Sequence, residues 1–363
     1  MPIKYIPIFE ITPKIASFLM RVESARRAIQ DLPISLKMLS GLRESARASS
    51  IHYSTKIEGN RLSEEQVVQV IQKSAHFPGR ERDVGEVRGY YAALDCLEQA
   101  VLRRVSTNEL LIQTFHAHVM GGGLLKIKPT PYREGQNVIR DSSTGGIVYM
   151  PPEAKDVPGL MGALVRWIEE EKELPLPLIA GIAHYQFATI HPYYDGNGRT
   201  ARLLATFILH KGGYGLKGIY SLEEYYAKNL QGYYDALSIG PSHNYYLGRA
   251  AADITKWVEY FCEGMAESFE KVVERAKEAA NLVGTSEEHL WRELDLKKKK
   301  ALELFQQSNE LTSIQIGALF QLKERARSLL CQKWVEEQFI IAANPAKRSR
   351  KYKLSPRYIS LLG

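Results

Sequence analysis

Two helical stretches, near residues 176–190 and 199–211, are separated only by His191-Pro192-Tyr193-Tyr194-Asp195-Gly196-Asn197-Gly198, and this junction constrains the chain more than any other segment. Pro192 stops the first helix, because proline removes an amide donor and clashes with the preceding turn. Gly196, Asn197 and Gly198 let the backbone turn sharply into the second helix. Amides at a helix start lack partners within the helix, so with the helix dipole they form a cradle for an anion such as phosphate. Arg199 lies in the first turn, and Arg202, three residues on, shares its face. Two guanidinium groups there suit a polyphosphate. Asp195 offers a hard oxygen to Mg²⁺, and His191 at the other lip can take a proton near neutral pH. The pattern fits a nucleophile attacking a metal-bound nucleotide phosphate.

Helical periodicity dominates the rest, which predicts a mainly α protein. Ser63-Glu64-Glu65-Gln66 is a capping box ahead of Val67, Val70 and Ile71, so a helix starts near residue 63. Just upstream, residues 44–58 read as a short helix ending at Gly59-Asn60. Further helices are expected over 84–104, 107–120, 156–171, 225–237, 247–280 and 286–308. Residues 137–150 differ: Val138, Ile139, Ile147, Val148 and Tyr149 flank the turn formers of 141–146, which predicts a hairpin. Short helices near 312–319 and 324–338, then strands at 339–342 and 352–354 around Asn344-Pro345, resemble a winged helix-turn-helix.

Composition adds limits. No run approaches the 18 or more apolar residues that span a bilayer, and the N-terminus lacks the charged-then-apolar order of a signal peptide, so a cytoplasmic protein without membrane contact is expected. Cys96, Cys262 and Cys331 are far apart and read as reduced core thiols. Of the net charge of +7, residues 291–363 supply all the positive excess, with 15 Lys and Arg against 7 Asp and Glu. That basic module, with Lys347, Arg348, Arg350, Lys351 and Lys353 in the expected wing, suits DNA or another polyanion.

The segment HPYYDGNGRTAR resembles the active-site loop of the Fic family, HxFx(D/E)GNGRxxR, at every defining position except that Tyr193 stands for phenylalanine. The resemblance implies a nucleotidyltransferase, a protein adenylyltransferase that moves AMP from ATP, with Mg²⁺, to a Ser, Thr or Tyr hydroxyl of a target protein or of itself. It makes His191 the general base, worth on the order of 10²–10⁴ in rate. Asp195 would hold Mg²⁺ across the α- and β-phosphates, which Asn197 and the backbone of Gly196 and Gly198 would contact. Arg199 would meet the β-phosphate and Arg202 the γ-phosphate. Gly198 argues against the Doc-type relatives, which carry lysine there and phosphorylate their targets.

Residues 132–152 resemble the family's flap, with Ile139 near the target. His184, seven before His191, is more plainly a buried, satisfied histidine than a catalytic one. Asn229, Tyr233 and Tyr234 lie where the family contacts ribose and adenine, although a tyrosine-rich helix is as readily core. Ser54 to Gly59 fits the inhibitory pattern (S/T)xxxE(G/N), by which Glu58 would pair with Arg202 and displace the γ-phosphate. Whether the same glutamate also supports AMP removal stays open. Relatives often form homodimers, but no interface is legible here.

The expected architecture is a mainly α Fic fold, a helical bundle with a β-hairpin flap, plus a C-terminal winged-helix-like domain. Its parts are an N-terminal helical region over 1–75 with the inhibitory segment at about 54–60, a catalytic core over 76–265, a helical connector over 266–300 and the basic module over 301–363. The alternatives are another nucleotide or a phosphocholine donor, or a DNA-binding transcriptional regulator whose Fic core senses nucleotide.

Overall fold

The computed structural model describes residues 3–32, 34, 36–124, 126–140, 145–281, 290–291, 293–343 and 350–362. Five helices come first: α1 Pro13–Asp31, α2 Leu36–Ile57, α3 Glu64–Lys73, α4 Glu81–Leu102 and α5 Glu109–Met120. A hairpin of β1 Ile139–Arg140 and β2 Ile147–Tyr149 follows, then α6 Val157–Glu170, α7 Leu176–Ile190, α8 Asn197–Lys211, α9 Glu223–Lys228, α10 Leu230–Leu237 and α11 Thr255–Asn281. The last elements are α12 Leu296–Gln307, β3 Leu311–Thr312, α13 Ser313–Leu319, α14 Glu324–Glu336, β4 Ile340–Ala342 and β5 Lys351–Leu354. They form two compact units, residues 1–27 with 45–271, and residues 28–44 with 272–363.

Within the first unit α7 is buried on nearly every side, from Pro177 to Ile190, as expected of a helix that is apolar all round. It packs on α6 and α8. The opposite face of α8 joins a second cluster through Leu203 and Phe207, which meet Ile51 of α2, Val67 of α3, Val87 and Tyr90 of α4 and Phe115 of α5. Phe115 and Phe207 meet edge to face, centroids 5.6 Å apart. Because α8 is held on both sides, its N-terminal turn is fixed against α7 and α2 alike.

The hairpin pairs antiparallel, with Ile139 opposite Tyr149. The turn residues 141–144 lie outside the described residues. In the second unit the order of the antiparallel sheet is β3–β5–β4. Its core holds Phe305, Cys331, Trp334 and Phe339. Lys347 and Arg348 also lie outside the described residues.

Several boundaries differ from expectation, each for a local reason. The helix read over 44–58 starts at Leu36, running through Gly41, which weakens the helical pattern although a Cβ there would meet nothing within 4 Å. The single helix read over 225–237 is broken at Asn229, whose φ −130°, ψ 67° is not helical and whose side chain caps α10. The helix read from 247 begins at Thr255, after Gly248 at φ 122°. The part of the 286–308 helix at 286–289 lies outside the described residues. Strand β3 has only two residues, too few for an alternating pattern to show in sequence. The capping box at Ser63 and Gln66 forms as expected, and Cys96, Cys262 and Cys331 are free thiols.

Candidate active site

Helix α7 ends at His191, which takes the left-handed conformation at φ 52° and whose N–H still bonds Phe187 O. Its Nδ1–H donates to the Ala188 carbonyl at 3.3 Å, which leaves Nε2 with a lone pair. Burial first, and Arg133 nearby, push the imidazole down to about 4, while Ala188, Glu58 and Asp195 pull the other way. At neutral pH it is therefore in the base form.

The junction is tied by its own residues. Tyr193 N–H donates to Asn197 Oδ1 at 3.0 Å and Asn197 Nδ2 returns to Tyr193 O at 2.8 Å, so the Asn197 carboxamide is committed to holding the loop. Gly196 takes φ 73° at the N-cap of α8, a conformation glycine adopts without cost. A Cβ there would also lie 2.7 Å from Met120 Sδ. Beneath, His116 of α5 stacks on Tyr193 at 3.6 Å and its Nε2–H donates to Asp195 O at 2.9 Å. Tyr193 is the expected aromatic wedge, but its extra hydroxyl is buried and makes no hydrogen bond among the described residues.

Both arginines of α8 are buried, at 2% exposure, unusual for arginine unless it is paired. Arg202 donates from Nε to Ser54 Oγ at 2.9 Å and from Nη2 to Ser54 O and Glu58 Oε1, each at 2.8 Å. Burial opposes its charge, yet Glu58, Tyr233 and Tyr90 together hold the guanidinium above its ordinary value. Arg199 lies 3.6 Å from Asp195 Oδ1 and 3.9 Å from Glu86 Oε1. Among the described residues Arg199 Nε and Arg202 Nη1 are buried without a partner. A Cβ on Gly198 would fall 2.4 Å from Glu58 Oε1 and 3.2 Å from Arg202 Nη1, so the carboxylate and that donor meet at the start of α8. This is an anion cradle, and in this structure the anion is Glu58.

Asp195 is exposed at the mouth of the cradle. Its Oδ1 accepts from Gly196 N–H at 2.6 Å. No group of three or more His, Cys, Asp or Glu that could hold a metal occurs among the described residues. One carboxylate fits Mg²⁺ only if phosphates and water supply the other ligands, which is how that ion is commonly held.

The remaining sequence candidates fall in three places. Asn229 is exposed, its Oδ1 accepting from Gly232 N–H at 3.0 Å as the α10 cap. Tyr233 is buried behind Arg202 and its hydroxyl pairs with His184 Nε2 at 3.0 Å, so it supports the arginine from within the core. His184 is fully buried among Trp257, Tyr226 and Phe261, and burial pushes it down to about 3; it is the core histidine of the plainer reading, though only Nε2 is paired and Nδ1 has no partner among the described residues. The Tyr234 hydroxyl reaches Ile57 O at 3.5 Å, beside the inhibitory segment. Ile139 is half-buried in β1, while Ile147 and Val148 of β2 are exposed. Sequence reasoning missed Arg133, His116 and Asn137. Arg133 bridges the hairpin and the His191 loop, and Asn137 Nδ2 donates to Tyr193 O at 3.1 Å. Little in the local sequence marks them, because most of their partners, a ring and backbone carbonyls, are remote in sequence.

Residues 106–209, which include the whole of this junction, match the model of the Fic/DOC family. The chain carries a Fic domain. Protein adenylyltransferase Fic of Drosophila erecta is 29% identical over 196 residues, which is 53% of this chain and 38% of that protein. Its Drosophila melanogaster counterpart is 28% identical over the same shares. The chain thus spans well under half the length of these relatives. A crystal structure of a Fic family protein from Desulfovibrio desulfuricans G20 superposes with TM-score 0.61 at 24% identity, covering 97% of this chain and 99% of that one. Fic-1 from C. elegans gives TM-score 0.58 at 23% identity over 73% of each chain. The fold is shared with these two solved structures.

Proposed function

We propose that this Fic domain transfers the AMP part of ATP to a Ser, Thr or Tyr hydroxyl of a protein, and that Glu58 restrains it. One observation carries the reading: the Glu58 carboxylate rests against Gly198 and on buried Arg202, an anion in a site made of guanidinium and helix-start donors. A polyphosphate needs the same donors. Arg202 would receive the γ-phosphate and Arg199 the β-phosphate, while the amides of Asn197 and Gly198, with that of the N-cap Gly196 on its release from Asp195 Oδ1, would face the α- and β-phosphates. The buried, unpartnered Arg199 Nε and Arg202 Nη1 support this assignment. Asp195 would hold Mg²⁺, whose chemistry when bound is to neutralise charge on those phosphates.

The reaction balances with this chain's own groups. His191 Nε2 takes the proton of the acceptor hydroxyl. Its oxygen bonds the α-phosphorus, the bond from that phosphorus to the bridging oxygen breaks, and pyrophosphate leaves. The hairpin would add a target strand along β2, whose Ile147 and Val148 are exposed. The names of the fly relatives, protein adenylyltransferase, support the reaction class.

DNA binding gains no support from the second unit, since Lys351 and Lys353 of β5 share the Glu310 carboxylate at 3.2 and 3.4 Å. No helix among the described residues is long and apolar enough to cross a membrane.

The test is transfer of label from α-labelled ATP with Mg²⁺ to the protein itself and to a cell lysate. Label that rises in Glu58→Gly and vanishes in the Glu58→Gly, His191→Ala double variant is the expected result. ATP binding without transfer in any variant overturns it in favour of another donor, which competition by phosphocholine carriers or other nucleotides against ATP would reveal.

A further inference from the structure

Arg133 lies outside the family's loop pattern, ahead of the hairpin, yet it is 3% exposed. Its three donor nitrogens go to three separate stretches of backbone. Nε donates to His191 O at 3.0 Å, Nη1 to Gly135 O at 2.9 Å and Nη2 to Pro152 O in a short contact. Its own amide donates to Pro192 O at 2.9 Å. Gly135 is where the chain enters the hairpin, and Pro152 is where it leaves. One planar fork therefore closes the base of the hairpin and bolts that base to the carbonyl of the residue proposed as the base.

We propose that Arg133 is the positioning residue that sets the distance between the target-binding hairpin and His191. Three features of the geometry carry this. His191 is a non-glycine residue in the left-handed region, which persists only when its surroundings hold it, and Arg133 grips its carbonyl directly. Smaller ties run in parallel between the same two segments: Asn137 Nδ2 to Tyr193 O at 3.1 Å, and Gly135 N–H to the Tyr194 hydroxyl at 2.8 Å. The arginines proposed to hold phosphate stand instead on α8 and bond to Ser54, Glu58 and Met120. Nucleotide binding and target placement thus rest on different supports, and a lysine, with one point of charge, cannot span three carbonyls.

The kinetic half of the inference rests on the AMP-transfer reading, and the structural half does not. In a Glu58→Gly background, Arg133→Lys is expected to lower AMP transfer to a protein acceptor by about 10²-fold, the scale of a 1 Å misplacement. The KM for ATP is expected to change less than about twofold. In the same variant, amide hydrogen exchange is expected to quicken over residues 135–140 and 147–152 and around 191–195, with 197–211 unchanged. Asn137→Ala, which removes one parallel tie, is expected to shift both readouts the same way by less, and it decides the matter where Arg133→Lys does not fold. An equal loss in ATP affinity, or hairpin exchange that does not change, overturns the proposal. If the Glu58→Gly protein itself transfers no AMP, the reaction reading has failed, and the exchange pattern alone then judges Arg133.

Discussion

At the scale of single residues, Gly198 shows why one missing methyl group matters. The Glu58 carboxylate occupies the space a side chain there would take. Its far end is flexible, so Gly198→Ala is expected to fold, pushing Glu58 off Arg202 while filling the cradle itself. It should not mimic Glu58→Gly. Calorimetric titration with ATP should show binding gained in Glu58→Gly and lost again in Glu58→Gly, Gly198→Ala. Glu58→Gly alone is expected to raise AMP transfer by about 5- to 150-fold, the effect of an ordinary coupling of 1–3 kcal/mol, and equal rates would sink the restraint. Tyr193 makes a separate point. Its ring is needed as a wedge under the loop, but its buried hydroxyl has no partner among the described residues. Tyr193→Phe is expected to stabilise the fold by about 1 kcal/mol in urea unfolding.

At the scale of elements, the restraint depends on how α2 ends. The helix stops at Ile57, Gly59 turns at φ 89°, and Asn60 pins the turn to α4. Asn60 Nδ2 donates to Asp83 O and to Glu86 Oε2, both at 2.9 Å, and its Oδ1 accepts from Leu62 N–H at 3.1 Å. Glu86 in turn stands 3.9 Å from Arg199, so the turn that carries Glu58 is moored beside both arginines. Asn60→Ala frees the mooring without removing the carboxylate. Transfer is expected to rise to a level between wild type and Glu58→Gly, with a loss of about 1–3 kcal/mol of stability from the groups left unpaired. Transfer equal to wild type would show that Glu58 needs no such anchor.

For the molecule as a whole, burial pushes down six histidines of the first unit, His52 and His118 less than the other four. His184 is pushed down to about 3, and His116, His191 and His210 to about 4, from an ordinary 6.5. The unfolded chain takes up these protons near pH 6.5, while the folded chain resists until about pH 4. Stability from this source is therefore complete above about pH 6.5 and lost as pH falls toward 4. Urea midpoints are expected to be flat from pH 8 to 7 and to drop steeply between 6 and 4.5. Carboxylates held low by their partners, such as Glu270 on Arg21, add a further loss only below 4.5. A flat profile down to pH 4.5 would contradict the burial of these rings.

The sequence by itself determined the junction from His191 to Arg202, the helices on either side and the capping box at Ser63, because each depends on neighbours a few residues apart. The resemblance of Ser54 to Gly59 to the inhibitory pattern also gave Glu58 and Arg202 as partners. Only the tertiary structure decided that Ser54 joins Glu58 on Arg202, that Asn229 serves as a cap, that Tyr233 lies behind the arginine, and that Arg133 joins Gly135 to two carbonyls remote in sequence, those of Pro152 and His191. Those outcomes depend on where α2, α8, α10 and the hairpin pack, and a backbone carbonyl has no residue type by which sequence could mark it as a partner.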